Sequence, residues 1–353
     1  MHVNVFKVPQ SAPDDLSHLE KLISSGQLDP HEIVAVMGKT EGNGCVNDFT
    51  RGFATQTLKH DLQTRIGAAQ AAQVITIISG GTEGILSPHL TIFTRRESQP
   101  QEPQSWGLVL GISHTRNFLA SEIGTLTMVQ EVAAGVRAAM ADAGLSQAQV
   151  HFVQIKSPLL TADRIRNGSG QVVTEESYKS MAFSRAASAL GTAVALGEIR
   201  FETLHSTDIL HNLTLYSQVA SASAGIELLN CQILVLGNAP SSSSDLVISH
   251  DVMQHALDQE AVRRAIQATG QPREQIVNLF AKAEADPSGM ILNQRHTMLQ
   301  DSDINHTRMA RAVVGAVIAA EVQDPMIYVS GGSEHQGPAG GGPVAVIARK
   351  QRD

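Results

Sequence analysis

Three pentapeptides of one pattern recur along the 353-residue chain: Ser79-Gly80-Gly81-Thr82-Glu83, Ser223-Ala224-Gly225-Ile226-Glu227 and Ser330-Gly331-Gly332-Ser333-Glu334. Upstream of each, an apolar run ends on a lysine: EIVAVMGK at Lys39, QVHFVQIK at Lys156 and QIVNLFAK at Lys282. Between lysine and serine lies an arginine, Arg51, Arg185 and Arg308, with Arg311 a second candidate in the last set. A serine hydroxyl is a weak nucleophile without a base beside it. The residue type that repeats with these serines is lysine, and Ser-Lys pairs are a known variant of the serine-nucleophile arrangement. Such a lysine must be neutral to take a proton, so its pKa has to fall well below the usual ~10.4. Burial and neighbouring cations both act in that direction. The glycines let backbone N–H groups approach a ligand closely, where they suit an oxygen that becomes negative during attack. Each arginine offers a planar fork of donors for carbonyl or anionic oxygen. A ligand met equivalently by three such sets should itself be near-threefold, as is a small ring of alternating carbonyl and N–H groups.

The elements that must position these groups are legible in the flanks. The runs VITII, YSQVASA and MIYV precede the serines and HLTIF, CQILVL and PVAVIA follow them, all strand-like. Amphipathic segments such as SHLEKLISSGQLDPHE precede the lysine strands. Phe49-Thr50-Arg51, Phe183-Ser184-Arg185 and His306-Thr307-Arg308 each stand before a small-residue stretch, with Ser or Thr suited to an N-cap. Each unit therefore reads strand, helix, strand to Lys, helix led by Arg, strand to Ser-Gly, strand, an α/β or α+β unit. Turn and polar residues concentrate at ESQPQEPQ (97–104) and SSSSD (241–245), which read as linkers. The boundaries expected are 1–104, 105–245 and 246–353, three homologous domains closing around a pseudo-threefold axis with one central active site.

Composition narrows the partners. Hydrophobic residues make up 42% and charged residues 17%, enough for packed cores. Aromatics at 4%, with Trp106 alone of its type, and a net charge of −8 argue against nucleic acid and anionic membranes. The repeated lysines and arginines nevertheless predict a cationic pocket within this acidic chain. Cys45 and Cys231 give no disulfide framework, no apolar run approaches a membrane span, and MHVNVFKVPQ has no signal-peptide pattern, so a cytoplasmic protein is expected. Although 14 histidines are present, no HExxH or CxxC spacing points to a metal hydrolase. The third unit departs after its serine into Ser333-Glu334-His335-Gln336-Gly337-Pro338-Ala339-Gly340-Gly341-Gly342-Pro343. The carbonyls of such a loop, with Glu284 nearby in sequence to Lys282, would suit a hard cation.

The Ser-Gly-Gly turns, the lysines in VMGKTEGNG and FAKAEADPSG, and the tail VSGGSEHQGPAGGGPVAVIAR together resemble the ring-opening amidohydrolase family over the whole chain. That family comprises cyanuric acid hydrolases and barbiturases, and the resemblance is closer to the former. It implies hydrolysis of the s-triazine ring to carboxybiuret, which loses carbon dioxide to give biuret. It implies Ser223 as nucleophile and Lys156 as its base, with Lys39–Ser79 and Lys282–Ser330 as supporting pairs. Arg51, Arg185 and Arg308 would hold the ring oxygens together with Ser79, Gly80, Ser223, Ala224, Ser330 and Gly331. A structural magnesium or calcium would fall on Glu284 and the backbone of Ser333, Gln336, Gly337, Pro338 and Gly341, with no organic cofactor. A homotetramer would follow. Barbiturate as substrate and a non-catalytic binding protein are the alternatives.

Overall fold

The computed structural model describes residues 1–351. Strands β1 (His2–Pro9), β2 (Ile33–Thr40), β3 (Ile75–Gly80) and β4 (His89–Arg96) form a sheet in the order β1-β4-β2-β3. Strands β5 (Ser105–His114), β6 (Val150–Pro158), β7 (Ala220–Gly225) and β8 (Gln232–Ser242) repeat it as β5-β8-β6-β7. Strands β9 (Leu246–Met253), β10 (Ile276–Ala283), β11 (Tyr328–Gly331) and β12 (Gly342–Arg349) repeat it again as β9-β12-β10-β11. In each sheet the lysine strand runs parallel to the serine strand and antiparallel to the strand after it. The chain is thus an α/β protein of three repeated units.

Each sheet is covered on both faces, which is why its central strands read as nearly continuous apolar runs. On one face the three sheets meet: Val5, Met37, Ile77 and Phe93 pack with Leu110, Phe152 and Leu236 and with Ile248, Phe280 and Ile347 in one buried cluster. This common core defines the pseudo-threefold axis, and the Phe152 and Phe280 rings stack across it at 4.9 Å. On the outer faces, α1 (Ser17–Ser24) contributes Leu19, and α2 (Phe49–Ile66) sets Leu58 and Leu62 against Val36 and Ile78. In the second unit α3 (Leu126–Ala143) and α4 (Ser177–Ala195) bring Val132 and Leu190 to Val153 and Ile155. In the third, α5 (Gln259–Ala268) and α6 (His306–Val322) bring Val262 and Val314 to Leu279 and Ala281. No helix among the described residues is long and apolar enough to cross a membrane.

One local reading of the sequence is corrected. The expected Ser/Thr caps are not caps: Asp48 caps α2 by accepting from the Arg51 N–H at 3.0 Å, and Asn305 caps α6 from Thr307. Ser184 lies inside α4, which starts seven residues earlier at Ser177, and its hydroxyl donates to the Pro158 carbonyl. The SSSSD stretch joins β8 to β9 and is tied into the fold. Strand β8 runs to Ser242, and the buried Ser242 and Ser244 hydroxyls donate to the carbonyls of Leu108 and Val3.

Because Phe280 touches rings from all three units, Phe280→Ala should lower unfolding free energy by about 3–5 kcal/mol. Urea unfolding checks this, and a loss below about 1 kcal/mol would mean that the axial core is not shared as described.

Candidate active site

The strand registers bring the repeated groups together in pairs. Lys39 stands opposite Ser79, Lys156 opposite Ser223 and Lys282 opposite Ser330 on adjacent parallel strands. Lys39 and Lys282 lie two residues beyond Met37 and Phe280 of the shared core, and Lys156 lies four beyond Phe152, each on the same face as its core residue, so all three project from the axial end of that core. All three are buried. They also reach across unit boundaries: Lys156 Nζ donates to the Ile78 carbonyl at 3.0 Å and Lys282 Nζ to the Ala222 carbonyl at 2.9 Å. Lys282 Nζ lies 3.1 Å from Ser330 Oγ, and Lys39 Nζ 3.5 Å from Ser79 Oγ.

Burial drives all three amines below their ordinary range, but unequally. Lys39 and Lys282 fall far, through desolvation first and then the neighbouring guanidinium groups of Arg311 and Arg185. Lys156 is lowered by desolvation, while the Glu227 carboxylate at 3.1 Å pulls back toward the charged form.

The arginines are held by a group the sequence displayed but whose role it left unread, the glutamate that closes each pentapeptide. Glu334 takes Arg185 with both oxygens, at 2.8 and 2.6 Å, and Glu83 takes Arg311 in the same bidentate manner. Glu227 lies 4.0 Å from Arg51. Each pair joins two units, so the pairs run around the axis. The position corresponding to Arg51 and Arg185 is therefore Arg311, which is buried, whereas Arg308 is only half-buried and approaches Glu83 only to 3.5 Å. The motif's own spacing, with Glu four residues after Ser three times over, was the signal available for these partners.

This pairing corrects the expectation of a cationic pocket. Six basic side chains do gather, but three carboxylates answer the guanidinium groups and two of the amines are driven strongly toward neutrality.

A cavity of about 230 Å3 opens over this end, lined by Asn43, Gly44, Arg185, Arg308, Arg311, Gly331 and Glu334 among others. Arg51 and Glu227 instead line a separate recess with Asp48 and Ile226. Gly80 and Gly331 have no room for a side chain: a Cβ would meet Asp48 Oδ2 at 1.7 Å and Thr307 Cγ2 at 2.2 Å respectively. At the middle position the Ala224 methyl fills the equivalent space against Leu159 and Met181.

The residues expected to hold a divalent cation are Glu284, Ser333, Gln336, Gly337, Pro338 and Gly341. Of the six, Glu284, Ser333 and Gly337 line one cavity, with Gly340 beside them, and the Glu284 carboxylate accepts from Thr307 Oγ1 and sits 2.9 Å from His306 Nδ1. No cluster of three His, Cys, Asp or Glu side chains exists among the described residues, so a cation here would depend on backbone carbonyls beside one carboxylate. That all-oxygen set fits a hard cation. The same loop grips the serine strand of the second unit: Gln336 Oε1 accepts from the Ala222 N–H at 2.6 Å, one residue before Ser223.

Comparison with known proteins follows the same lines. Residues 4–349 match the family model described as amidohydrolase ring-opening protein. A cyanuric acid amidohydrolase of Enterobacter cloacae is 51% identical over 99% of this chain and all of its own. Another, of Bradyrhizobium diazoefficiens, is 50% identical over 98% of both. A solved cyanuric acid hydrolase, described as an innovation by structural concatenation, superposes with a TM-score of 0.93 at 49% identity over 99% of both chains.

Removing Arg311 would strand a largely buried Glu83 carboxylate, so Arg311→Ala should cost about 3 kcal/mol or more in urea unfolding. Arg308→Ala should cost less than about 1 kcal/mol, because its longer contact is partly open to water and Glu83 keeps Arg311. Equal losses would put the two arginines on the same footing and remove the assignment of Arg311.

Proposed function

The chain belongs to the ring-opening amidohydrolase family and is a hydrolase, and from that premise we propose that it opens the s-triazine ring of cyanuric acid through a Ser223–Lys156 dyad. The observation that carries this reading is the threefold set of Lys–Ser register partners at the end of one axis. Such a set matches a planar ring with three equivalent carbonyls, and relatives over the full length carry that activity in their names.

In the reaction, neutral Lys156 takes the Ser223 proton as Oγ bonds to a ring carbonyl carbon. Negative charge developing on that carbonyl oxygen is met by backbone N–H groups of the Ser-Gly turns and by the arginines. The ring C–N bond then breaks, and the Lys156 ammonium returns the proton to the departing nitrogen. Water attacks the resulting ester and gives its proton to Lys156, which hands it back to Ser223 Oγ as carboxybiuret leaves. Loss of carbon dioxide from that carbamate gives biuret. Lys39–Ser79 and Lys282–Ser330 hold the other two edges of the ring, with Arg185 and Arg311 at the carbonyl oxygens and Arg51 beside the reacting pair.

Glu284 and the carbonyls of Ser333, Gln336, Gly337, Pro338 and Gly341 would hold the divalent cation. When bound, it supplies positive charge against Glu284 and ties down the 333–341 loop. Gln336 carries that order to Ala222 and so to the Ser223 strand. Acid–base chemistry stays with Ser223 and Lys156.

Turnover of cyanuric acid and of barbiturate, followed by loss of ring absorbance and by carbon dioxide release, tests the assignment. Cyanuric acid should be consumed far faster, and Ser223→Ala should lower its kcat about a thousand-fold or more while ring binding persists. Faster consumption of barbiturate would change the substrate. A Ser223→Ala variant that turns over normally would remove the nucleophile.

A further inference from the structure

The three motif glutamates are chemically alike and structurally unlike. Glu83 and Glu334 each grip the arginine of a neighbouring unit, which lies directly against the motif's second glycine. A Cβ at Gly81 would sit 2.6 Å from Arg311 Nε, and one at Gly332 2.5 Å from Arg185 Nε. At Gly225 the space is filled by the motif's own glutamate, since a Cβ there would lie 2.2 Å from the Glu227 carboxylate. Glu227 therefore folds back over its own turn, with Oε1 3.1 Å from Lys156 Nζ and 4.0 Å from Arg51 Nε. Among the described residues no such carboxylate contact within 4.0 Å reaches Lys39 or Lys282, which bond their own serines instead. The hydroxyl of Ser223 is buried and makes no hydrogen bond among the described residues.

We propose that Glu227 is a positioning residue that sets the middle dyad apart, holding Lys156 as an ammonium turned from Ser223 in the ring-free enzyme. The inference rests on Ser223 and Lys156 being the reacting pair. A lysine so held is no base, so the middle dyad becomes competent only as the ammonium loses its proton to water with rising pH. The charged groups facing Lys156 are Glu227 from the turn after β7 and Arg51 and Asp48 from the start of α2. Glu227 and Asp48 favour the ammonium, and Arg51 opposes it. Removing the Glu227 charge leaves desolvation and Arg51 to act, so deprotonation should move to lower pH.

The test is the pH profile of kcat/KM for cyanuric acid with wild type, Glu227→Gln, Glu227→Asp, Glu83→Gln and Glu334→Gln. Loss of a close opposite charge should shift the acid limb of Glu227→Gln downward by about 1–2 pH units. Glu227→Asp, whose carboxylate is withdrawn by one methylene, should shift it in the same direction by less. Glu83→Gln and Glu334→Gln should raise KM and leave the limb in place. An unmoved limb in both Glu227 variants, or an equal shift in the Glu83 and Glu334 variants, overturns the inference. An active Ser223→Ala would instead remove the dyad reading beneath it, whereas an inactive Ser223→Ala with an unmoved limb removes the role of Glu227 alone.

Discussion

Lys39, Lys156 and Lys282 sit together at the end of a buried axis, where burial strips the ammonium form of its hydration. Three such groups cannot all stay charged close together in a low-dielectric interior, since each raises the cost for the other two. The rest of the site follows from that constraint. Guanidinium groups crowd Lys39 and Lys282 and push them further toward neutrality. Those permanent charges must themselves be answered, and the glutamates of the neighbouring units do so. The acidic balance of the chain and the lysine-rich site are therefore compatible: the ring of Arg–Glu pairs contributes no net charge.

The repeated fold creates this arrangement and then breaks its symmetry once. A ring with three equal edges is gripped best by three equal units, but a single serine must attack. The middle unit supplies the difference through three neighbouring residues. Ala224 replaces a glycine and packs on Leu159 and Met181, Gly225 opens space for Glu227, and Glu227 turns to its own lysine. Each change is small in sequence, and together they set the surroundings of one lysine apart from those of the other two.

Much of this was legible in the residues. The order of strands, the pairing of each lysine with its serine and the shared axial core all follow from periodicity and from a threefold repeat of polar residues at strand ends. The third arginine was not, because its separation from the serine differs in every unit: Arg51, Arg185 and Arg311 lie at different depths in their helices. Only the bidentate contact with Glu83 separates Arg311 from Arg308. The caps at Asp48 and Asn305 were not legible for a related reason, since short polar residues cap, line turns or, as in SSSSD, satisfy buried carbonyls according to tertiary surroundings. The asymmetry of Glu227 was beyond reach, because its motif is nearly identical to the other two.

The central claim is that one serine of three becomes covalently attached to the opened ring. Acid quenching of the enzyme during turnover of cyanuric acid, followed by peptide mass spectrometry, addresses it directly. The account predicts an ester adduct on the peptide carrying Ser223 and none on those carrying Ser79 or Ser330. An adduct on Ser79 or Ser330 would contradict it.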